Sequence, residues 1–262
     1  MFGQWAVLTF TTIDHIFMRI LLASAFLCLP LLAHADCKER FTEWTHTLQP
    51  GRTVDLDNAV CKVWPANPTQ TLAVLPLPQK GGTTDETVYD VEVLVTDSKT
   101  GAIIAQTYEP SAITSDAMDL EGLALDTAPW RLTPQELAFG VRKSFQNSSR
   151  VDPFEDTTLS LYVIDGGKLR RVLSNLTTRQ SKGDWDGNCA GQFSNTSRAI
   201  SVGPAGRGGY ATLLISEKTV DTTQTVAGEQ CASKDKATKR ASFTLGYDGS
   251  SYSVPAGLSD DQ

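Results

Sequence analysis

Histidine is the scarcest catalytic residue type in this chain: 262 residues hold three, and His15 and His34 fall in the N-terminal leader described below. His46 alone remains for the mature protein. A Ser-His-Asp or Cys-His relay would have to run through that side chain, and a zinc site built from several histidines is excluded. His46 lies in Phe41-Thr42-Glu43-Trp44-Thr45-His46, a short helical or extended segment where a packing or surface role is the simpler reading. Any C-x-x-C pair is also missing, so the cysteines do not read as metal ligands. The longest apolar stretch falls short of the roughly 20 residues that cross a bilayer as a helix. Basic runs are confined to residues 168–171 and 234–240, without interleaved aromatic rings. With a net charge of −7, the chain lacks the phosphate-neutralising surface that nucleic acid or an anionic membrane demands.

What is present begins with a leader. Met18-Arg19 precedes an apolar run over residues 20–32, interrupted by Pro30, and then Ala33-His34-Ala35. A short positive region, an apolar core and a small-x-small site make a secretory signal peptide cleaved after Ala35. Residues 1–35 are therefore read as leader and signal, with Met18 as an alternative start. Cys28 follows Leu27 and Cys37 follows Asp36, so neither has the small preceding residue of a lipoprotein signal. No stable membrane anchor is expected, and the location is read as periplasmic or secreted.

Export leaves Cys37, Cys61, Cys189 and Cys231, an even number bound for an oxidising compartment. Four cysteines allow three pairings. Cys37 with Cys61 and Cys189 with Cys231 is preferred, because each pair closes a local loop. In the chain-entropy treatment each bridge contributes roughly 3–4 kcal/mol.

Short alternating segments fill the rest. Residues 36–68 form an N-terminal lead-in held by Cys37 and Cys61, ending in the proline-rich 63–68. Residues 88–95 and 102–108 alternate around the turn 97–101 as a hairpin. Residues 118–132 alternate again, with Pro129 marking an edge. Residues 158–164 and 168–173 flank Asp165-Gly166-Gly167, a strong short-hairpin signal. Further strands are read at 71–77, 137–145, 197–202 and 210–216, and a last hairpin at 241–247 and 252–254. The polar segment 219–239 reads as an excursion restrained by Cys231. Residues 69–255 thus form one all-β domain, an antiparallel strand meander making a β-sandwich or curled sheet, stapled by disulfides. The strand-Asp-Gly-strand recurrence at Asp165 and Asp248 leaves propeller blades as the minor reading, since no fixed repeat period is found and the chain is short for a full propeller. Residues 256–262 are expected to be a disordered tail.

Chemistry concentrates in residues 183–192. Asp184, Asp186 and Asn188 follow part of the oxygen spacing of calcium loops, but a third oxygen position and the closing glutamate are missing. An Asp/Asn/Gly turn is the simpler reading, and no metal or cofactor is assigned. Trp185 is a possible contact residue or a packing partner of the bridge, and the sequence does not choose.

The segments Asp126-Thr127-Ala128-Pro129-Trp130-Arg131-Leu132, Cys61-Lys62-Val63-Trp64-Pro65-Ala66 and Cys189-Ala190-Gly191-Gln192-Phe193 resemble segments of uncharacterised secreted proteins of Gram-negative bacteria. The resemblance spans most of the mature chain. It implies the periplasm and brings no activity and no site residues. The functional expectation is a non-enzymatic binding or interaction protein with another envelope protein as partner, an inhibitor or immunity protein being one form of it. The alternative is a carboxylate-based hydrolase acting on envelope glycan, which requires two facing carboxyls in a cleft.

Overall fold

The first described element is a helix, α1 (Asp36–Leu48), in a computed structural model that describes residues 36–81 and 86–259. The leader, the signal peptide and its cleavage site lie outside these residues, as does the side chain of Cys37. Phe41, Trp44, Thr45 and Leu48 recur at the three- and four-residue spacing of one helical face. Phe41 and Trp44 are buried, 1% and 3% exposed. Pro50 and Gly51, the latter at φ 84°, end the helix.

Twelve strands follow: β1 (Val60–Val63), β2 (Gln70–Pro78), β3 (Thr87–Asp97), β4 (Ile103–Ser115), β5 (Asp119–Arg131), β6 (Leu137–Gln146), β7 (Phe154–Asp165), β8 (Lys168–Trp185), β9 (Gly191–Ala205), β10 (Ala211–Ala227), β11 (Gln230–Asp235) and β12 (Lys239–Leu245). Eight of them lie in the order β1-β2-β3-β4-β8-β7-β6-β5. All pair antiparallel with their neighbours except β4 and β8, which share one parallel bridge, Gln106 with Lys168. The path curls until β5 approaches β1, where Lys62 Nζ donates to Thr127 Oγ1 at 2.9 Å. The curl is not closed by a ladder between those strands.

β8 is the longest strand, and it serves two sheets. Along its length it pairs with β7, and from Arg179 to Trp185 its other edge pairs with β9. β9 and β10 form a long hairpin. The far edge of β10 pairs with β12 near the core and with β11 beyond it.

Three apolar clusters follow from strand alternation. On β2, Leu72 and Val74 face the inside of the curl, while Ala73, Leu75 and Leu77 face α1. Both faces of β2 are covered, which is why its sequence reads as a continuous apolar run. On β7, Tyr162 points into the curl, and Leu159, Leu161 and Val163 point outward. The outward set packs with Val172, Leu173 and Leu176 of β8, Leu213 and Ile215 of β10 and Leu245 of β12. The sheet therefore folds over itself into a second layer, so the architecture is a curled antiparallel sheet with a sandwich-like flank.

Several expectations need correction. The polar segment 219–239 is ordered ribbon: β10 continues to Ala227 and turns back as β11. Thr and Val recur over residues 219–226, and their branched side chains suit a pleated strand even without burial. The last expected hairpin shrinks to a single bridge, Tyr247 with Tyr252, because β12 pairs with β10 instead. The tail is not disordered through Ser259. Leu258 is 4% exposed, and its carbonyl accepts the Thr177 N–H at 2.8 Å. This burial, the bridge of Ser259 with Leu176 and the Arg198 bond to Gly257 O tie the segment down.

Candidate functional site

Past Ile215 the buried positions of β10 stop, β9 has none, and all six residues of β11 are exposed. The end of β8, the start of β9, the end of β10 and β11 thus form a four-stranded arm. From Ser216 to Ala227 it extends about 40 Å at roughly 3.3 Å per residue. An antiparallel sheet ordinarily has one apolar face against a core. This arm buries neither face and carries only scattered apolar residues such as Phe193, Val220 and Val226, so it is held largely by its ladders and by cross-strand polar pairs. Ser194 Oγ donates to Asp221 at 2.8 Å, Thr222 Oγ1 to Asp235 at 2.6 Å and Lys239 Nζ to Asp221 at 2.7 Å.

A disulfide between Cys189 and Cys231 staples the tip, with Cα atoms 5.2 Å apart. It joins the β8–β9 loop to β11. Cys61 sits half-buried on β1, while the expected pairing of Cys37 with Cys61 involves a side chain outside the described residues.

The loop that carries most of the sequence's candidate chemistry is shorter than expected, because Gly183 to Trp185 belong to β8 and Gly191 with Gln192 to β9. Asp186 Oδ1 accepts the N–H groups of Asn188 and Ala190 at 2.8 and 3.0 Å. Gly187 takes φ 79°. This is an Asx turn, and it occupies the carboxylate that the calcium spacing singles out. Asp184 lies apart, on β8. No group of three His, Cys, Asp or Glu side chains converges as a metal site among the described residues. Trp185 is half-buried. A Cβ on Gly191 would lie 3.1 Å from its ring and 2.9 Å from Asp184 O, so glycine there leaves room for the indole.

One face of the arm forms a groove of about 490 Å³. Its central row follows from register: Lys182 opposes Ser194, and Ser194 opposes Asp221. Asp184 and Gln192 make the next row, Asp152 closes one end, and Lys236 and Lys239 close the other. Asp221 is held below the usual carboxylate range by Lys239 and Ser194. Lys182, Lys236, Asp152 and Asp184 form no ion pair among the described residues. Arg179, Ser197 and Lys218 align three residues further along the strands, hence on the opposite face. They line a second groove of about 340 Å³ with Glu155.

A second polar constellation lies where β4 leaves β8. Beyond the Gln106–Lys168 bridge, residues 109–114 of β4 have no pairing partner on the β8 side. Through this seam the inner face of β6 and β7 shows its polar members. Glu109 Oε1 accepts from Tyr162 OH at 3.0 Å and Oε2 from Arg171 Nη1 at 2.9 Å. Lys143 Nζ donates to Ala112 O at 3.2 Å. Asp156 and Thr158 are 3% and 4% exposed, and Thr158 Oγ1 has no hydrogen-bond partner. Two cavities of about 20 Å³ each flank Lys143, a size that holds one water.

Burial lowers the Lys143 ammonium from its ordinary value; the Arg171 charge acts in the same sense, while Glu109 and Asp156 oppose it. Burial likewise pushes the Tyr162 hydroxyl up. Ser111 and Asn175, at φ 47° and 46°, are the non-glycine residues with positive φ among those described. They sit on the two sides of the seam, a backbone cost of order 1–3 kcal/mol each. Asp90 anchors one side. It accepts Arg52 and Gln79 at 2.6 Å, Tyr108 OH at 2.7 Å and the Ser111 N–H at 2.8 Å. Burial acts to raise Asp90, but these donors together hold it well below the usual carboxylate range.

Sequence reasoning missed the seam because Glu109, Lys143, Asp156 and Arg171 are distant along the chain. One signal was available. Phe139, Val141 and Phe145 share an inward face of β6, and period-two alternation puts Lys143 on that face. A lysine inside an apolar row marks a polar interior.

No family model matches the chain, and no curated protein or solved structure matches it.

Proposed function

We propose that this protein is a non-enzymatic interaction protein of the cell envelope, periplasmic or secreted, which grips a protein partner with its arm. The observation that carries this reading is the stapled ribbon itself: β-structure with no buried face, bearing a 490 Å³ groove in which Lys182, Lys236, Asp152 and Asp184 form no ion pair among the described residues. Such a ribbon adds no core. Ordered before binding, it loses little conformational entropy when a partner arrives. The disulfide supports an oxidising compartment, and the net charge of −7 favours a partner carrying a basic patch. An inhibitor or immunity role is the finer form of the same reading.

The glycan-hydrolase alternative needs a general acid whose carboxyl is raised in an open cleft. Asp221, in the groove, is shifted the other way. Glu92, which burial raises, is 0% exposed beneath α1. Binding is therefore the better-supported reading.

The test is capture from periplasmic extract with the mature chain, alongside a double variant, Asp152→Lys with Asp184→Lys, which reverses the groove's acidic charges. The expected result is a saturable partner whose affinity falls about tenfold or more in the variant at unchanged thermal stability, since reversing interfacial charges costs several kcal/mol. Recovery of no saturable partner, or equal capture by both proteins, counts against the reading.

A further inference from the structure

We propose that Lys143 is a carbonyl-reactive lysine that forms a reversible imine with a small unbranched aldehyde admitted through the β4–β8 seam. This site is separate from the arm and independent of the partner reading. Four observations converge on it. Lys143 lines both seam cavities, so the space beside its amine continues on two sides. The residue is part-exposed at the seam while its amine is desolvated. Its amine makes one hydrogen bond, to the Ala112 carbonyl, and that acceptor leaves the nitrogen lone pair available once the proton is lost. Thr158 Oγ1, buried and without a hydrogen-bond partner, offers a donor to an oxygen placed in the cavity.

A lysine removed from water and set near a second cation is an activated nucleophile. Both conditions hold here, since burial and the Arg171 charge depress the ammonium together. Glu109 is engaged by Tyr162 and Arg171, and Asp156 is the carboxylate that lines the amine's own cavity. In the step itself the neutral Nζ attacks the carbonyl carbon and the C=O electron pair moves to oxygen. A proton passes from nitrogen to that oxygen by way of the Asp156 carboxylate. Loss of one water from the carbinolamine gives the C=N bond. No oxidant or reductant is consumed, and hydrolysis reverses the reaction.

Cavity size sets the ligand class. Each chamber, at about 20 Å³, admits one small group, so the aldehyde end must be slim. The remainder of the molecule lies outward, past Thr114 and Asn175.

The experiment traps the imine on the intact folded protein with propionaldehyde and cyanoborohydride at neutral pH, then maps the alkylated lysines by peptide mass spectrometry. Lys143 is expected to label about tenfold faster than exposed Lys234, because burial and the nearby Arg171 charge favour its neutral, nucleophilic amine. Branched pivaldehyde is expected to lose this preference, and unfolding in urea to abolish it. Lys143→Arg removes the fast site and leaves the other lysines unchanged. Labelling of Lys143 no faster than Lys234, or equally fast with pivaldehyde, overturns the proposal.

Discussion

The rings of Tyr210 and Tyr247 stack with centroids 3.8 Å apart, and Arg170 donates to both hydroxyls, at 2.9 and 2.8 Å. Three distant segments meet here: β8, the turn before β10 and the chain after β12. The stack closes one end of the cluster that contains Tyr252 and Leu258. Arg170→Leu strips both hydroxyls of a charged donor and is expected to cost about 1–3 kcal/mol. Urea denaturation would read this as a lower midpoint at unchanged slope. An unchanged midpoint would show that the stack stands without the arginine.

Glu92 and Asp90, two residues apart on β3, shift in opposite directions. Burial raises Glu92, which one donor, Gln49 Nε2 at 2.8 Å, only partly offsets. A group raised on folding contributes stability below its unfolded value and loses it as pH climbs through the folded one. Glu92→Gln is therefore expected to gain relative to wild type as pH rises above the ordinary carboxylate range. Melting temperatures from pH 4 to 9 would test this, and parallel curves for the two proteins would refute it.

Asp90 carries the opposite sign. Its folded-state value is depressed, so its contribution is complete above the unfolded value and drains away as pH falls toward the folded one. Asp90→Asn leaves Arg52 facing a neutral amide at a site 3% exposed. The expected loss is about 3 kcal/mol at pH 7, the range for breaking a buried charge pair. That loss should shrink below pH 3, and a pH-independent difference would contradict the assignment.

Cys189→Ser should loosen the arm selectively. The bridge closes a sequence separation of 42, for which chain entropy predicts roughly 3–4 kcal/mol. Because no side chain of β11 is buried, the effect belongs to local opening. Hydrogen exchange in residues 222–235 is expected to accelerate by about two orders of magnitude, while Leu161 and Leu173 keep their protection. Equal acceleration in the core would show that the arm and the core unfold together.

Gly140→Ala tests packing beneath β6. A Cβ there would lie 2.6 Å from Leu159 Cδ1 and 2.9 Å from Asp126 Cβ. Asp126 is itself clamped by Arg142 at 2.6 Å and Leu159 is fully buried in the outer cluster, so neither neighbour yields freely. Overpacking of this kind costs about 1–3 kcal/mol, measurable as a drop in the denaturation midpoint.

Much of the sheet was legible because its strands alternate and its turns carry glycine or aspartate. The β7–β8 hairpin closes on Asp165 and Lys168, where Asp165-Gly166-Gly167 marks a turn. The β5 edge breaks register between Asp126 and Trp130, around Pro129. The arm was not legible as structure, because its strands lack the apolar face by which strands are recognised. In Asp221-Thr222-Thr223-Gln224-Thr225 the only signal is β-branching, which is weak without burial. The seam was hidden for a different reason. Its charges come together only through the curl, and pairing across a sheet is a tertiary fact that no local window contains.

The single bridge between Gln106 and Lys168 also bears on how the chain folds. On either side of it, β1 to β4 and β5 to β8 are meanders in which each strand pairs with its neighbour in sequence. Loop-closure entropy is small for such steps, so each half can zip up quickly from its own hairpins. Within these eight strands the costly long-range pairing is compressed into one junction. Kinetically, the protein is expected to behave as two fast hairpin stacks with a late, rate-limiting docking event between them.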